Sequence, residues 1–166
     1  MNQNIFINKA EASGVIPFDL LDYKPTIEIV EFDLKDHLFM GMILKEKEFK
    51  ESLSSIDFSV YTGKAVAVIC STEAIIPPWA YMLLMDKLSG YSVYTDIRSS
   101  EEILLDLWKK ELQNVEPEQY KDLKIVVKAR SETSPALYFL ITQLMKPFVK
   151  SLMYGEVGLP KVILKN

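Results

Sequence analysis

The chain has 166 residues, 49% hydrophobic and 25% charged, with 19 lysines and arginines against 23 aspartates and glutamates for a formal net charge of −4. That length suits one core in a single domain over residues 1–166, and the composition excludes a disordered chain. The acidic balance, with bases mostly beside acids, argues against nucleic acid, whose phosphates need clustered lysine and arginine.

Met1–Asn8 lacks the basic flank and long apolar run of a secretory signal. The longest apolar segments, around Ala74–Met85 and Ala136–Met145, fall short of the ~20 residues that a bilayer span requires. One cysteine, Cys70, makes no internal disulfide and fits a reducing compartment. The expectation is a cytoplasmic protein without membrane contact.

In chain order, Asn4–Ser13 reads as a short amphipathic helix stopped at Gly14. Val15–Phe18 and Thr26–Leu34 follow as extended segments. The second alternates Ile27 and Ile29 against Glu28 and Glu31, which suits a half-exposed strand at an edge or in an antiparallel part of a sheet. Leu38–Leu44 is apolar apart from Gly41. A charged helix over Glu46–Leu53 then buries Phe49, Leu53 and Ile56, with Glu46 and Lys50 paired on its solvent side.

Lys64–Cys70 is a nearly unbroken apolar run, the signature of a strand covered on both faces. Proline opens the helix Pro78–Leu88, whose apolar residues run almost all round and predict deep packing. Gly90 ends it, and Tyr91–Ile97 is the next strand. Ser99 and Glu102 form a capping box for a helix to about Gln113 that buries Ile103, Leu104, Leu107, Trp108 and Leu112. Leu123–Ala129 is a strand, and Ser134-Pro135 caps and opens the helix Pro135–Lys146. Phe148–Tyr154 is a further strand, and Lys161–Leu164 pairs at an edge. This alternation predicts an α/β fold: a mixed, largely parallel sheet with helices on both faces. Residues 1–60 pack on a duplicated β-α-β unit spanning 61–166.

The duplication is read from paired residues. Tyr61, Val66, Val68, Ser71, Pro78, Tyr81, Leu83 and Leu84 match Tyr120, Ile125, Val127, Ser131, Pro135, Tyr138, Leu140 and Ile141. A tyrosine three residues after each proline is the least generic match. It makes Cys70–Pro78 and Arg130–Pro135 equivalent loops, expected on one sheet edge.

Ligands of open α/β sheets bind beyond the carboxyl ends of the strands. The candidates there are Cys70, Ser71, Thr72 and Glu73, with Trp79 behind them, then Asp96 and Arg98, Arg130 and Ser131, and Tyr154 and Glu156. Hydroxyls and backbone N–H groups at a helix start receive anions, and Arg98 or Arg130 adds a bidentate grip. The same serines also serve ordinary caps and turns. Glu73, Asp96 and Glu156 are possible acids, bases or ligands of a hard cation. Cys70 is a possible nucleophile, although the one histidine, His37, lies in the other half of the sequence. One Cys and one His make a poor zinc set, so no metal is assigned, and no phosphate-cradling glycine loop occurs. No cofactor is assigned either.

Several blocks resemble a family of uncharacterised proteins found in Bacteroidetes (domain of unknown function 2480). They are Phe32-Asp33-Leu34-Lys35-Asp36, Ile43–Phe49, Cys70-Ser71, Ala74–Pro77, Trp79–Leu84 and the closing Val149–Glu156. The resemblance covers nearly the whole chain and carries no activity with it. It implies further cysteines in relatives, where this chain has Ala129-Arg130-Ser131 and Val157-Gly158, so a multi-cysteine redox or metal role does not transfer. It also implies a neighbourhood of iron–sulfur assembly genes.

Three functions are consistent with these features. The first is a module binding a small anionic ligand at the strand ends. The second is a non-enzymatic accessory protein with a protein partner or a second copy of itself, linked to iron–sulfur assembly. The third is a hydrolase- or transferase-like enzyme using Cys70 or the strand-end carboxylates.

Overall fold

The computed structural model describes residues 14–166, so the helix expected over Asn4–Ser13 lies outside the described residues. In chain order the elements are β1 (Val15–Phe18), β2 (Ile29–Asp33), α1 (Glu46–Ser54), β3 (Ala65–Ile69), α2 (Pro78–Leu88), β4 (Tyr94–Asp96), α3 (Ser100–Gln113), β5 (Lys124–Lys128), α4 (Pro135–Met145), β6 (Ser151–Gly155) and β7 (Lys161–Lys165). Short 3-10 turns occupy Leu20–Tyr23, Leu34–His37, Phe58–Tyr61 and Pro117–Tyr120.

The fold is mixed α/β with largely parallel pairing, but the strands divide between two sheets where the alternation suggested one. The first sheet has the order β1-β5-β6-β7 and the second β2-β3-β4. Each belongs to its own compact unit. A continuous unit holds Thr26–Leu104, and a split unit holds the described residues up to Pro25 together with Leu105–Asn166. Every pairing is parallel except that of β6 with β7, which is antiparallel.

The central strand of each unit is its most apolar one. Ala65, Val66, Ala67 and Val68 of β3 are buried, as are Ile125, Val126 and Val127 of β5. A parallel strand with neighbours on both sides and cover on both faces has no surface to give to polar residues. β2, with Glu31 exposed, takes an edge as its alternation predicted.

The two units share an element order and a register. In the split unit Phe18 lies opposite Val127 and Ile125 opposite Leu152. In the continuous unit Phe32 lies opposite Val68 and Val66 opposite Thr95. Tyr120 and Tyr61 close the 3-10 turns that lead into the central strands. Ile141 of α4 and Leu84 of α2 are both buried against those strands.

One expectation is thereby corrected. The loops Cys70–Pro78 and Arg130–Pro135 follow central strands, but of different sheets, because β3 pairs with β2 and β4 while β5 pairs with β1 and β6.

One further expectation changes. α2 is not packed all round: Ala80, Leu84 and Leu88 are buried, whereas Met82 is 72% exposed and Met85 44%. A helix lying on a sheet buries one stripe, whatever the hydrophobicity of the rest. Leu38–Leu44 is a turn closed by a Phe39–Ile43 bridge, with Met40 and Gly41 both at positive φ. Among the described residues, no helix is long and apolar enough to cross a membrane.

Candidate functional site

The site develops at the carboxyl end of β5, where the chain turns into α4. Ser134 caps the helix, its Oγ accepting from the Ala136 N–H at 3.3 Å, and Pro135 fills the first position, which needs no donor. One turn on, the Tyr138 hydroxyl donates to the Lys128 carbonyl at 3.0 Å and accepts the Arg130 N–H at 2.9 Å. The helix is therefore tied to the strand that precedes it. Burial pushes the Tyr138 phenol above its ordinary pKa, so it stays protonated and able to donate.

Arg130 reaches across to the end of β1. Its Nε donates to Asp19 Oδ1 at 3.2 Å and its Nη2 to Asp19 Oδ2. Lys128 Nζ lies 3.4 Å from the same Oδ2. The Asp19 side chain is only 10% exposed, and it also caps the Leu20–Tyr23 turn by accepting the Leu21 N–H. The Arg130 hydrogen bonds, opposed by burial and aided by Leu21 and Lys128, hold the Asp19 carboxyl below its ordinary range. Two cations thus share one carboxylate.

Between α4 and strands β5, β6 and β7 lies a cavity of about 410 Å³. Val127, Ile141, Leu152, Met153 and Ile163 give it an apolar wall, while Arg130, Thr133, Tyr138 and Tyr154 supply its polar groups. Tyr138 and Tyr154 meet edge to face with ring centres 5.4 Å apart. Thr142 also lines the cavity, but its hydroxyl already donates to the Tyr138 carbonyl at 2.7 Å.

Thr133 differs. Its residue is 6% exposed, and its Oγ1 is buried with no hydrogen-bond partner. It sits near enough to Tyr138 to offset part of the rise in that phenol's pKa, yet outside hydrogen-bonding geometry.

The free N–H groups expected at this helix start are mostly taken. Pro135 has none, Ala136 donates to Ser134 Oγ, and Leu137 donates to the Ser134 carbonyl. Side chains, not the backbone, are the donors the cavity has to offer.

Of the residues singled out from the sequence, Arg130 and Tyr154 line this cavity. Ser131 is exposed and donates to Glu132, while the charge of exposed Glu156 is felt at Arg130. The others lie in the continuous unit. There the Ser71 N–H donates to Asp33 Oδ1 at 3.0 Å; the strand register sets Asp33 where Asp19 stands and Ser71 where Arg130 stands, one position off the expected match with Ser131. The half-buried Cys70 Sγ donates to the Thr72 carbonyl at 3.4 Å. Glu73 is exposed, and Trp79 meets Phe49 edge to face. Asp96 and Arg98 are joined through Nε at 2.8 Å, and Arg98 Nη2 also donates to Tyr94. That geometry makes Asp96 and Arg98 a local clamp on the turn after β4. Among the described residues, no three His, Cys, Asp or Glu side chains stand together as a metal site.

The sequence reading passed over Asp19 and Lys128, and held Thr133 only as one position of the strand-end segment Arg130–Ser134. A signal for Asp19 existed: Phe18-Asp19-Leu20 and Phe32-Asp33-Leu34 repeat one pattern, a buried Phe, a capping Asp and a buried Leu. Thr133 stood in a candidate segment, but nothing local distinguishes its buried hydroxyl from the exposed one of Ser131.

Fold and cavity together define an α/β protein of two units built on largely parallel sheets, one of them carrying an apolar-walled cavity at a strand end. The chain belongs to a family of proteins of unknown function, DUF2480, whose family model matches residues 4–165. No curated protein and no solved structure matches it.

Proposed function

We propose that the split unit is a binding module for a small anionic ligand held in the cavity beside β5 and α4. The observation that carries this reading is the cavity itself, whose apolar wall of Val127, Ile141, Leu152 and Met153 meets the Arg130 guanidinium at its polar end. Arg130 Nη1 makes no hydrogen bond among the described residues, which leaves it to grip an anionic group, and the positive end of α4 favours negative charge beside it.

The experiment is a thermal-shift panel of anionic metabolites on wild type and Arg130→Gln. A ligand at a hundred times its Kd stabilises the folded state by about 2.7 kcal/mol, well above detection. Stabilisation of wild type by at least one anion, reduced in Arg130→Gln, supports the reading. A panel in which no anion moves the wild-type melting temperature rejects it.

A further inference from the structure

We infer that the open edge of β7 takes up an extended, acid-flanked segment of a partner protein as a further strand, at a site separate from the Arg130 cavity. β7 ends the order β1-β5-β6-β7, so among the described residues its outer backbone N–H and C=O groups have no strand beside them. Neither face of the strand is covered, since the neighbours Val162 and Ile163 are 47% and 49% exposed. Leu159, two residues before the strand, is 94% exposed. A segment laid along this edge gains main-chain hydrogen bonds and covers apolar side chains now left to water.

Charge selects the partner. From Ser134 to Asn166 the charged side chains are Lys146, Lys150, Lys161 and Lys165 against Glu156 alone, in a chain whose net charge is −4. None of these four lysines makes an ion pair among the described residues. Lys161 and Lys165 are the first and last residues of β7. Lys124 of β5 stands level with Lys165 across Ser151 and adds a further cation at that end. Lys121 and Asp122, just before β5, offset each other, and the surplus stays positive with a carboxylate at Asn166 counted.

Edge lysines also keep sheets from joining one another, and here the two roles coincide. A second β7 in antiparallel pairing would set Lys161 against Lys165 at both ends, where like charges repel. The bulge that leaves Ile163 without a counterpart on β6 bends the edge further from such a match. An acidic residue at each end of the incoming segment turns the same two contacts attractive. The occupant is therefore a strand of another protein, apolar within and acidic at its ends, and not a second copy.

Fluorescence anisotropy of the full chain with labelled, end-blocked peptides tests this. The probe is Glu-Val-Thr-Val-Glu. The controls are Lys-Val-Thr-Val-Lys and the acidic peptide methylated at every backbone amide. The acidic probe is expected to bind about ten-fold more tightly than either control. Lys161→Glu combined with Lys165→Glu is expected to reverse the preference, so that the lysine peptide replaces the acidic one. Arg130→Gln is expected to leave the affinity for the acidic probe unchanged.

Equal binding of the methylated peptide would overturn strand addition, because charge alone would then suffice. Loss of the acidic probe in Arg130→Gln would overturn the edge as its site by moving the peptide to the cavity. A single-stranded oligonucleotide that displaces the probe at lower concentration than the unlabelled peptide would give the lysines to nucleic acid instead. No binding of the probe at about 1 mM would overturn the inference as a whole.

Discussion

Asp19 and Arg130 stand 111 positions apart in the chain and are joined by a two-fold hydrogen-bonded ion pair that ties the end of β1 to the end of β5. Lys128 adds a second cation to the same carboxylate. This contact fixes the polar end of the cavity, because the guanidinium that lines it is oriented by Asp19.

Asp19→Asn is expected to destabilise the protein by about 2 kcal/mol, below the ~3–5 kcal/mol of a fully buried pair because Arg130 is partly exposed. The pH dependence has a definite sign. The folded-state pKa of Asp19 is lowered, so its stabilisation is complete above the unfolded value near 3.9 and is lost as pH falls through the lowered folded value. Urea denaturation of wild type and Asp19→Asn from pH 7 to pH 2 checks it. The gap between them should close only below about pH 4; a gap independent of pH rules out the ion pair as its source.

Thr133→Val tests the cost of the buried hydroxyl. With the ligand absent, replacing an unpartnered buried hydroxyl by a methyl group removes a desolvation penalty, so the variant is expected to match wild type or exceed it by about 1 kcal/mol. Ser134→Ala is the contrast. Its Oγ caps α4, and its loss is expected to cost about 1 kcal/mol. Chemical denaturation measures both; a marked loss in Thr133→Val would mean that its hydroxyl is already satisfied in the free protein.

The contrast between those neighbours also marks how far the chain's own pattern could be read. Proline at the first helical position announced α2 and α4, and the Ser99–Glu102 capping box announced α3, because those signals are local and act within one turn. The unbroken apolar runs announced β3 and β5. What no local pattern carries is partner choice: β1 passes over the adjacent β2 and pairs with β5, Val15 opposite Lys124. The cavity depends on that pairing, so Arg130 and Tyr154 were visible as polar strand ends while Asp19 was not. Helix α2 erred the other way, since its apolar sequence said nothing about Met82 and Met85 facing outward.

The shared register of the two units makes a prediction in the continuous one. Ser71 holds the place of Arg130, and Asp33 the place of Asp19. Burial alone would raise the Asp33 carboxyl, but hydrogen bonds from Ser71 and Lys35 outweigh it and hold it below its ordinary range. Ser71→Arg is expected to add about 0.5 kcal/mol at pH 7 through a new pair with Asp33, the scale of a partly exposed ion pair. The gain should vanish below the lowered Asp33 pKa and in an Asp33→Asn background. A double-mutant cycle with no coupling between 71 and 33 would show that the register does not carry over to the side chains.

The two tryptophans offer the last test. Trp108 is 3% exposed, and its Nε1–H donates to the Leu20 carbonyl at 2.9 Å, holding the residue next to Asp19. Trp79 is 36% exposed. Trp108→Phe removes a buried donor and takes from the Leu20 carbonyl its partner outside the 3-10 turn, a loss of about 1 kcal/mol, to which the vacated ring volume adds. Trp79→Phe keeps an aromatic ring against Phe49 and is expected to cost less than about 1 kcal/mol, as a partly exposed change does. Fluorescence assigns the two independently, because Trp108 should emit at shorter wavelength and respond late in denaturant. If Trp108→Phe proves as mild as Trp79→Phe, the 3-10 turn holds the Leu20 carbonyl by itself, and Trp108 does not position the Asp19 turn.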